Sequence, residues 1–438
     1  MARARLRSPL NVLLNGRLAG RLNKETSGAI DFRYDESWLR WQYTFPISLS
    51  LPLRDDKYGG EAVGAVFDNL LPDSVEIRRR IAQRVGAASE DAFDLLSAIG
   101  RDCVGALQFL PDDSPAAPAG NVDGERLTPK RIATLLTALG QAPLGISTDD
   151  DFRISLAGAQ EKTALLRWNK RWYLPRASTP TTHILKPQIG VLRNGLDLSR
   201  SVENEYLCMQ LAAAADLPVA RTAIADFAGQ RTLVVERFDR QWTKDQRLLR
   251  LPQEDLCQAL SVPPTRKYQS EGGPGIRQIL QLLKSSDQPR EDQQRFLEAQ
   301  VFFWLLGATD GHAKNFSIFL YPGGGFRLTP IYDVISLQPN YAAAQIKRNS
   351  MKLAMSVGDN RHCVLHTIQP RHFVQSAEQA GVSGRVAESA MDALQERLPV
   401  AMEQVAAGLP SDFPKHLRRS LYSGIEERLK ILAARSRG

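Results

Sequence analysis

The chain reads as an α+β protein in three parts: an amino-terminal α+β domain, a sheet-rich lobe, and a larger, mainly helical lobe. Three observations predict this. Alternating apolar runs with turn residues dominate residues 1–60 and 149–250, while three- and four-residue apolar steps dominate beyond Leu251. Between the first third and the rest lies PDDSPAAPAGNVDGE (111–125), with the Pro, Gly, Ser and Asp content of a linker. A length of 438 residues, with 43 % apolar and 24 % charged residues, suits two or three ordinary globular domains. The expected divisions are 1–112, a linker and connecting helix at 113–148, the sheet-rich lobe at 149–250 and the helical lobe at 251–438.

In NVLLNGRLAGRL two apolar runs flank Asn15-Gly16, a hairpin signal, and FPISLSLPL (45–53) alternates like a further strand. From Ala62 to Leu96 the spacing turns helical, broken at Pro72-Asp73-Ser74. After the linker come a short helix (129–140), strand-like runs at RISLAG, KTALLRW, RWYLP, THILKP and TLVVERF, and one helix at 202–215. The helical lobe contains EDLCQAL, GIRQILQLL and QQRFLEAQVFFWLLGAT, then a strand pair at 316–333. SEGGPGIRQ (270–278) is rich in glycine but has no preceding strand, so it reads as a loop opening a helix rather than a phosphate cradle.

Composition narrows the function classes. Four scattered cysteines (Cys103, Cys208, Cys257, Cys363) form no CxxC pair, which argues against a zinc site or a disulfide framework and favours a reducing cytoplasm. Arg17 and Arg21 break any signal-peptide core, and the apolar stretch VFFWLLGA at 301–308 is under half a membrane span, so no membrane association is expected. Net charge is +8, and the last 24 residues hold seven Lys or Arg against two Glu. Such a tail suits either a nucleic-acid backbone or a solvated helix face.

The chemistry concentrates in ATDGHAKNFSIFLYPGGGFRLTPIYDV. Pro322-Gly323-Gly324-Gly325 turns the chain between two apolar runs, and a turn centred on Gly324 would set Asn315 opposite Asp333. Asp310 stands five residues before Asn315. One carboxylate to deprotonate a hydroxyl, with an amide oxygen and a second carboxylate for magnesium, is what phosphoryl transfer needs, and the order and spacing match a kinase catalytic loop. Lys314 can neutralise phosphate charge, and His312 reads as structural or as nucleotide packing. A sheet-rich lobe before a helical one is also the outline of a bilobal protein-kinase fold.

Leu156-Ala157-Gly158-Ala159-Gln160 lies between two strand-like runs, where small residues would let amides approach phosphates. Lys186, on a later strand, is placed like the lysine that grips α- and β-phosphates, with Glu205 or Glu203 of the following helix as its partner. VVERFDR (234–240) would run between the lobes, its Glu236 and Phe238 backbones facing adenine.

ISLAGAQEKTALL, PTTHILKP, VENEYLCM, VERFDRQW, LRLPQEDLCQ, GGPGI, GATDGHAKNFSIF and YDVIS closely resemble segments of HipA-type toxin kinases, and FDNLLPDS and LLSAIGRDCVGAL resemble the domain preceding the kinase core in that family. The resemblance implies an ATP- and Mg2+-dependent serine/threonine kinase, cytoplasmic, paired with a small DNA-binding antitoxin of HipB type on operator DNA. It implies Asp310 as base, Asn315 and Asp333 as metal ligands, and Lys186 on the phosphates. Further nucleotide contacts are implied at Ala157, Gly158, Ala159, Gln160, Glu161, Lys162, Glu236, Arg237, Phe238, His312, Lys314 and Tyr332. The self-phosphorylated serine of the family falls on Ser155, and the family's cellular target is glutamyl-tRNA synthetase. Two other readings stay open: a catalytically idle corepressor, and a kinase of small molecules or lipids.

Overall fold

The computed structural model describes residues 8–112, 118–146 and 152–434. Parts of the expected linker (113–117) and of its far boundary (147–151) therefore lie outside the described residues, as does the end of the basic tail (435–438). The chain forms two compact units. The first contains the residues up to Pro187, Ala225–Thr265 and Ile318–Phe326; the second contains Gln188–Ile224, Arg266–Ser317 and the residues from Arg327 on.

Within the first unit, an amino-terminal antiparallel sheet runs in the order Tyr58–Gly59, Ile30–Tyr34, Arg17–Lys24, Leu10–Leu14, Leu107–Pro111. The expected hairpin forms at Asn15 (φ +46°) and Gly16 (φ +79°), whose left-handed backbones match the twist of the flanking strands. The helices Glu61–Asp68 and Ala92–Ile99 pack on this sheet and bury Phe67, Leu95 and Leu96, while the helix Val75–Val85 packs on Ala92–Ile99 and buries Ile81. Ser74 and Asp91 cap the second and third by accepting amide N–H bonds, and Gly86 in the left-handed region ends the second.

FPISLSLPL is not a strand. Pro46 and Pro52 have no N–H for a ladder, and the Ile47 amide donates instead to the Tyr34 hydroxyl at 3.0 Å. The Leu49 amide donates to Glu254 at 2.8 Å, so the alternation reflects burial against neighbours rather than a sheet.

A second sheet has six strands in the order Thr222–Phe227, Gln230–Glu236, His183–Pro187, Thr163–Trp168, Arg171–Pro175, Gly124–Arg126. The connecting helix is Pro129–Thr137, with Thr128 as its cap. RISLAG, expected as a strand, has no ladder and only an isolated bridge between Gly158 and Pro72.

The second unit is built around the helix Pro289–Leu306, whose Phe296, Leu297, Val301, Phe302 and Trp304 are fully buried. Helices Ser201–Ala214, Gly384–Gly408 and Lys415–Ala434 belong to the same unit. SEGGPGIRQ is, as expected, a loop that opens the helix Ile276–Leu283. Among the described residues no helix is long and apolar enough to cross a membrane.

Candidate active site

The helix Pro289–Leu306 delivers the candidate catalytic loop of the second unit. It stops at Gly307 (φ +70°), and the Ala308 amide turns back to the Phe303 carbonyl at 2.9 Å. The loop then passes so close to the helix that a Cβ on Gly311 would lie 2.3 Å from the Phe303 ring. Only glycine fits this position.

Asp310 is exposed, as a general base for a substrate hydroxyl would need to be. Its backbone carbonyl receives the His312 amide and the Asn315 side-chain NH2, both at 2.8 Å. Asn315 thereby closes the loop with its amide nitrogen, which turns its Oδ1 to the opposite side. One oxygen of the Asp310 carboxylate accepts the Tyr268 hydroxyl at 2.6 Å. The Tyr268 ring also meets buried His312 edge-on, with centroids 4.9 Å apart. Tyr268 carries no sequence signal, because it reaches Asp310 across 42 residues.

The hairpin after this loop differs in register from expectation. The Tyr321 amide bonds the Gly325 carbonyl at 2.8 Å and the Thr329 amide bonds the Ser317 carbonyl at 2.9 Å, so the turn centres on Gly323 rather than Gly324. Asn315 ends a 3₁₀ turn, Ala313–Asn315, before the strand Ser317–Leu320 begins. Asp333 lies beyond the strand Phe326–Leu328 in a left-handed backbone conformation, φ +61°. Side-chain bonds replace the ladder here: the Tyr332 hydroxyl donates to the Lys314 carbonyl at 2.8 Å and meets the Ser317 hydroxyl at 2.5 Å. The sequence neighbours of Asn315 and Asp333 are thus tied directly. An amide oxygen and a carboxylate suit magnesium. Among the described residues no group of three or more His, Cys, Asp or Glu is placed to hold a metal ion.

In the first unit, Ala157–Lys162 is the candidate phosphate loop. Gly158 takes φ +104°, a conformation side chains rarely adopt, and a Cβ there would lie 2.4 Å from the Lys162 ammonium. Ala157, Ala159, Gln160 and Glu161 retain solvent access, while Lys162 is buried. The Gln160 side chain donates to the Pro187 carbonyl at 3.2 Å, beside Lys186 on the strand His183–Pro187. Lys186 is itself buried and belongs to the first unit, whereas Glu205, also buried, belongs to the second. Glu203 accepts a 2.7 Å bond from Gln188 of its own unit.

Glu236 ends the strand Gln230–Glu236, and Phe238 packs edge-on against Phe319 with centroids 5.7 Å apart. Between them Arg237 is committed inward. Its guanidinium bonds both Asp239 oxygens at 3.0 and 2.7 Å, the Cys103 carbonyl at 2.8 Å and Thr181 at 2.9 Å. Any nucleotide contact at Arg237 is therefore left to its backbone.

Arg240 and Arg250 complete this cluster by each meeting Asp102 at 2.8 Å. Burial alone would push the Asp102 carboxyl up, but Arg240, Arg250 and Arg237 outweigh it and hold the group below the usual carboxylate range. Asp239 is held down in the same way by Arg237 and Arg240. Arg240, buried beside two further guanidiniums, is pushed down to about 10. Backbone carbonyls of Cys103, Gly105, Ser178 and Thr181 receive the remaining guanidinium N–H groups. None of these partnerships has a local sequence signature.

Among the tail's cations, Arg419 is exposed and Arg418 half-buried, but Arg428 is buried and bonds the Leu305 carbonyl and Gln338. The charge surplus of the tail is thus not all at its surface.

A HipA N-terminal domain model matches residues 10–110 and a HipA-like C-terminal domain model matches 154–402. The candidate kinase Y4mE of Sinorhizobium fredii is 37 % identical over 85 % of this chain and 86 % of its own. The serine/threonine-protein kinase toxin HipA of Shewanella oneidensis is 26 % identical over 92 % of each chain. A solved Shewanella oneidensis complex of HipA, HipB and operator DNA superposes with a TM-score of 0.79 at 25 % identity, covering 97 % of this chain and 98 % of that one. The expected fold class, α+β and kinase-like with an added amino-terminal domain, is borne out.

Proposed function

The chain belongs to the HipA family, and we propose that it is an ATP- and Mg2+-dependent serine/threonine protein kinase acting as the toxin of a toxin–antitoxin pair. The observation that carries this reading is the loop in which Asn315 bonds the Asp310 carbonyl while Tyr268 holds the Asp310 carboxylate. In this reading Asp310 takes the proton of the attacking hydroxyl. Asn315 Oδ1 and Asp333 would hold magnesium, which would supply positive charge against the phosphates when bound. Lys186 grips the phosphates, and Ala157–Lys162 covers them. Lys314 adds a point charge, and the backbones from Glu236 to Phe238 take adenine.

The partners proposed are a small DNA-binding antitoxin, operator DNA within that complex, and glutamyl-tRNA synthetase as protein substrate in the cytoplasm. Ser155 is the proposed self-phosphorylation site. Its side chain is fully buried and donates to the Leu70 carbonyl at 2.7 Å. A phosphate of about −1.5 to −2 charge cannot occupy that position, so modification requires the loop to leave its seat and then keeps it out. Equal ATP affinities of phosphorylated and unphosphorylated protein would refute this switch.

Incubation of purified protein with γ-labelled ATP and cell extract tests the main reading. A labelled protein band is expected. Label confined to lipid or small molecules, or no transfer at all, would overturn it in favour of a small-molecule kinase or an idle corepressor.

A further inference from the structure

We infer that the turn Leu70–Asp73 and the helix Val75–Val85 of the amino-terminal domain are the seat of the phosphate loop, with Asp73 and Arg80 as its positioning residues. This rests on the reading of Ala157–Lys162 as the nucleotide-covering loop. Kinase loops of this kind usually draw their rigidity from the two strands that flank them. Here, among the described residues, no strand leads directly into the loop, and residues 152–162 contain no ladder. A backbone without a ladder has to find its hydrogen bonds elsewhere.

It finds them on the amino-terminal domain. The Ser155 amide donates to the Asp102 carbonyl at 2.9 Å, and the Ser155 hydroxyl donates to the Leu70 carbonyl. Two residues past Leu70, Pro72 forms the bridge to Gly158, and the Asp73 amide donates to the Gly158 carbonyl at 3.1 Å. At the far end of the loop, Arg80 meets Glu161 at 2.6 Å, with both side chains only about a third exposed or less. One short stretch, from residue 70 to residue 80, thus holds the start, the glycine and the acidic end of the loop.

A seat must itself be rigid, and this one is. Leu70 and Leu71 are buried, and the Asn69 side chain donates to the Ala65 and Val262 carbonyls at 2.8 Å. Arg78 bonds both the Pro72 carbonyl and the backbone of Asp68. Ser74 caps the following helix, so the turn is clamped between two helix ends. Pro72 adds a fixed φ at the point where the turn meets Gly158.

The direct test is hydrogen exchange of peptides covering 155–162 in nucleotide-free protein, compared across variants. Asp73→Pro deletes the amide donor, and Asp73→Ala keeps it and isolates the side chain. Arg80→Met deletes the ion pair while leaving the helix intact, which preserves the test if Asp73→Pro does not fold. Asp73→Pro and Arg80→Met should each exchange the loop about five- to tenfold faster, the scale of one lost bond. They should also raise KM for ATP while leaving kcat near normal. Unchanged exchange in both variants would overturn the inference. Exchange is read without ATP, so it decides the seat even if no kinase activity is found, whereas absent turnover in the unmodified protein would count against the kinase reading alone.

Discussion

The Tyr268 hydroxyl donates to Oδ1 of Asp310 at 2.6 Å and so fixes the orientation of the one exposed carboxylate on the loop. A hydrogen bond to a charged group contributes about 1.5–3 kcal/mol. Tyr268→Phe keeps the ring on His312 and removes only this bond, so the rate of phosphoryl transfer should fall about tenfold. Asp310→Asn should fall at least about a hundredfold, the scale of general-base catalysis, with ATP binding retained. Single-turnover transfer with labelled ATP measures both.

Asp333 is held at φ +61°, a backbone conformation that Asp and Asn tolerate better than other side chains. Asp333→Asn should therefore leave thermal stability nearly unchanged while raising the magnesium concentration for half-maximal activity. Asp333→Ala should lose activity and about 1 kcal/mol of stability. A magnesium titration of Asp333→Asn that matches the parent would remove Asp333 from the metal site.

Glu254 is sealed in the first unit, where the Leu49 amide meets one of its oxygens and burial pushes its carboxyl up to about 8 from an ordinary value of 4.5. The folded chain thus keeps a proton that the unfolded chain releases. This contribution to stability is full below about 4.5, declines as pH rises, and is lost above about 8. Glu254→Gln should flatten that decline in urea titrations across the window, because the neutral amide has no proton to lose.

The tail's nucleic-acid reading narrows to cations that reach solvent, among them exposed Arg419 and half-buried Arg418. Neutralising Arg418 and Arg419 should flatten the salt dependence of operator binding by the toxin–antitoxin complex, because each phosphate contact releases counterions. Kinase activity should be unaffected. Arg428→Ala should instead destabilise the protein, since this guanidinium holds the Leu305 carbonyl and Gln338. An unchanged salt slope would favour a solvated helix face.

Asp310, Asn315 and Asp333 could be proposed from the sequence because the pattern that singles them out is a spacing along one short segment. The hairpin's existence was legible from Pro322 to Gly325 as well, but its centre was not, since three successive glycines leave the register to contacts such as Tyr332 with Lys314. FPISLSLPL misled because alternation records burial, and burial does not require a ladder. Tyr268 with Asp310, and Asp102 with Arg237, Arg240 and Arg250, were invisible because each pairing joins distant segments through side chains that have no obligatory local pattern.

The cluster around Asp102 also bears on how the chain is made. Asp102 leaves the ribosome 148 residues ahead of Arg250, its last arginine partner. At about 5–20 residues per second, the nascent amino-terminal domain waits roughly 7–30 seconds with a carboxylate whose counter-charges do not yet exist. Its sheet can form during that interval, but the loop that carries Asp102 cannot be buried. The segment 152–162, whose Ser155 amide bonds the Asp102 carbonyl, should therefore stay unassembled until the sheet-rich lobe has been translated.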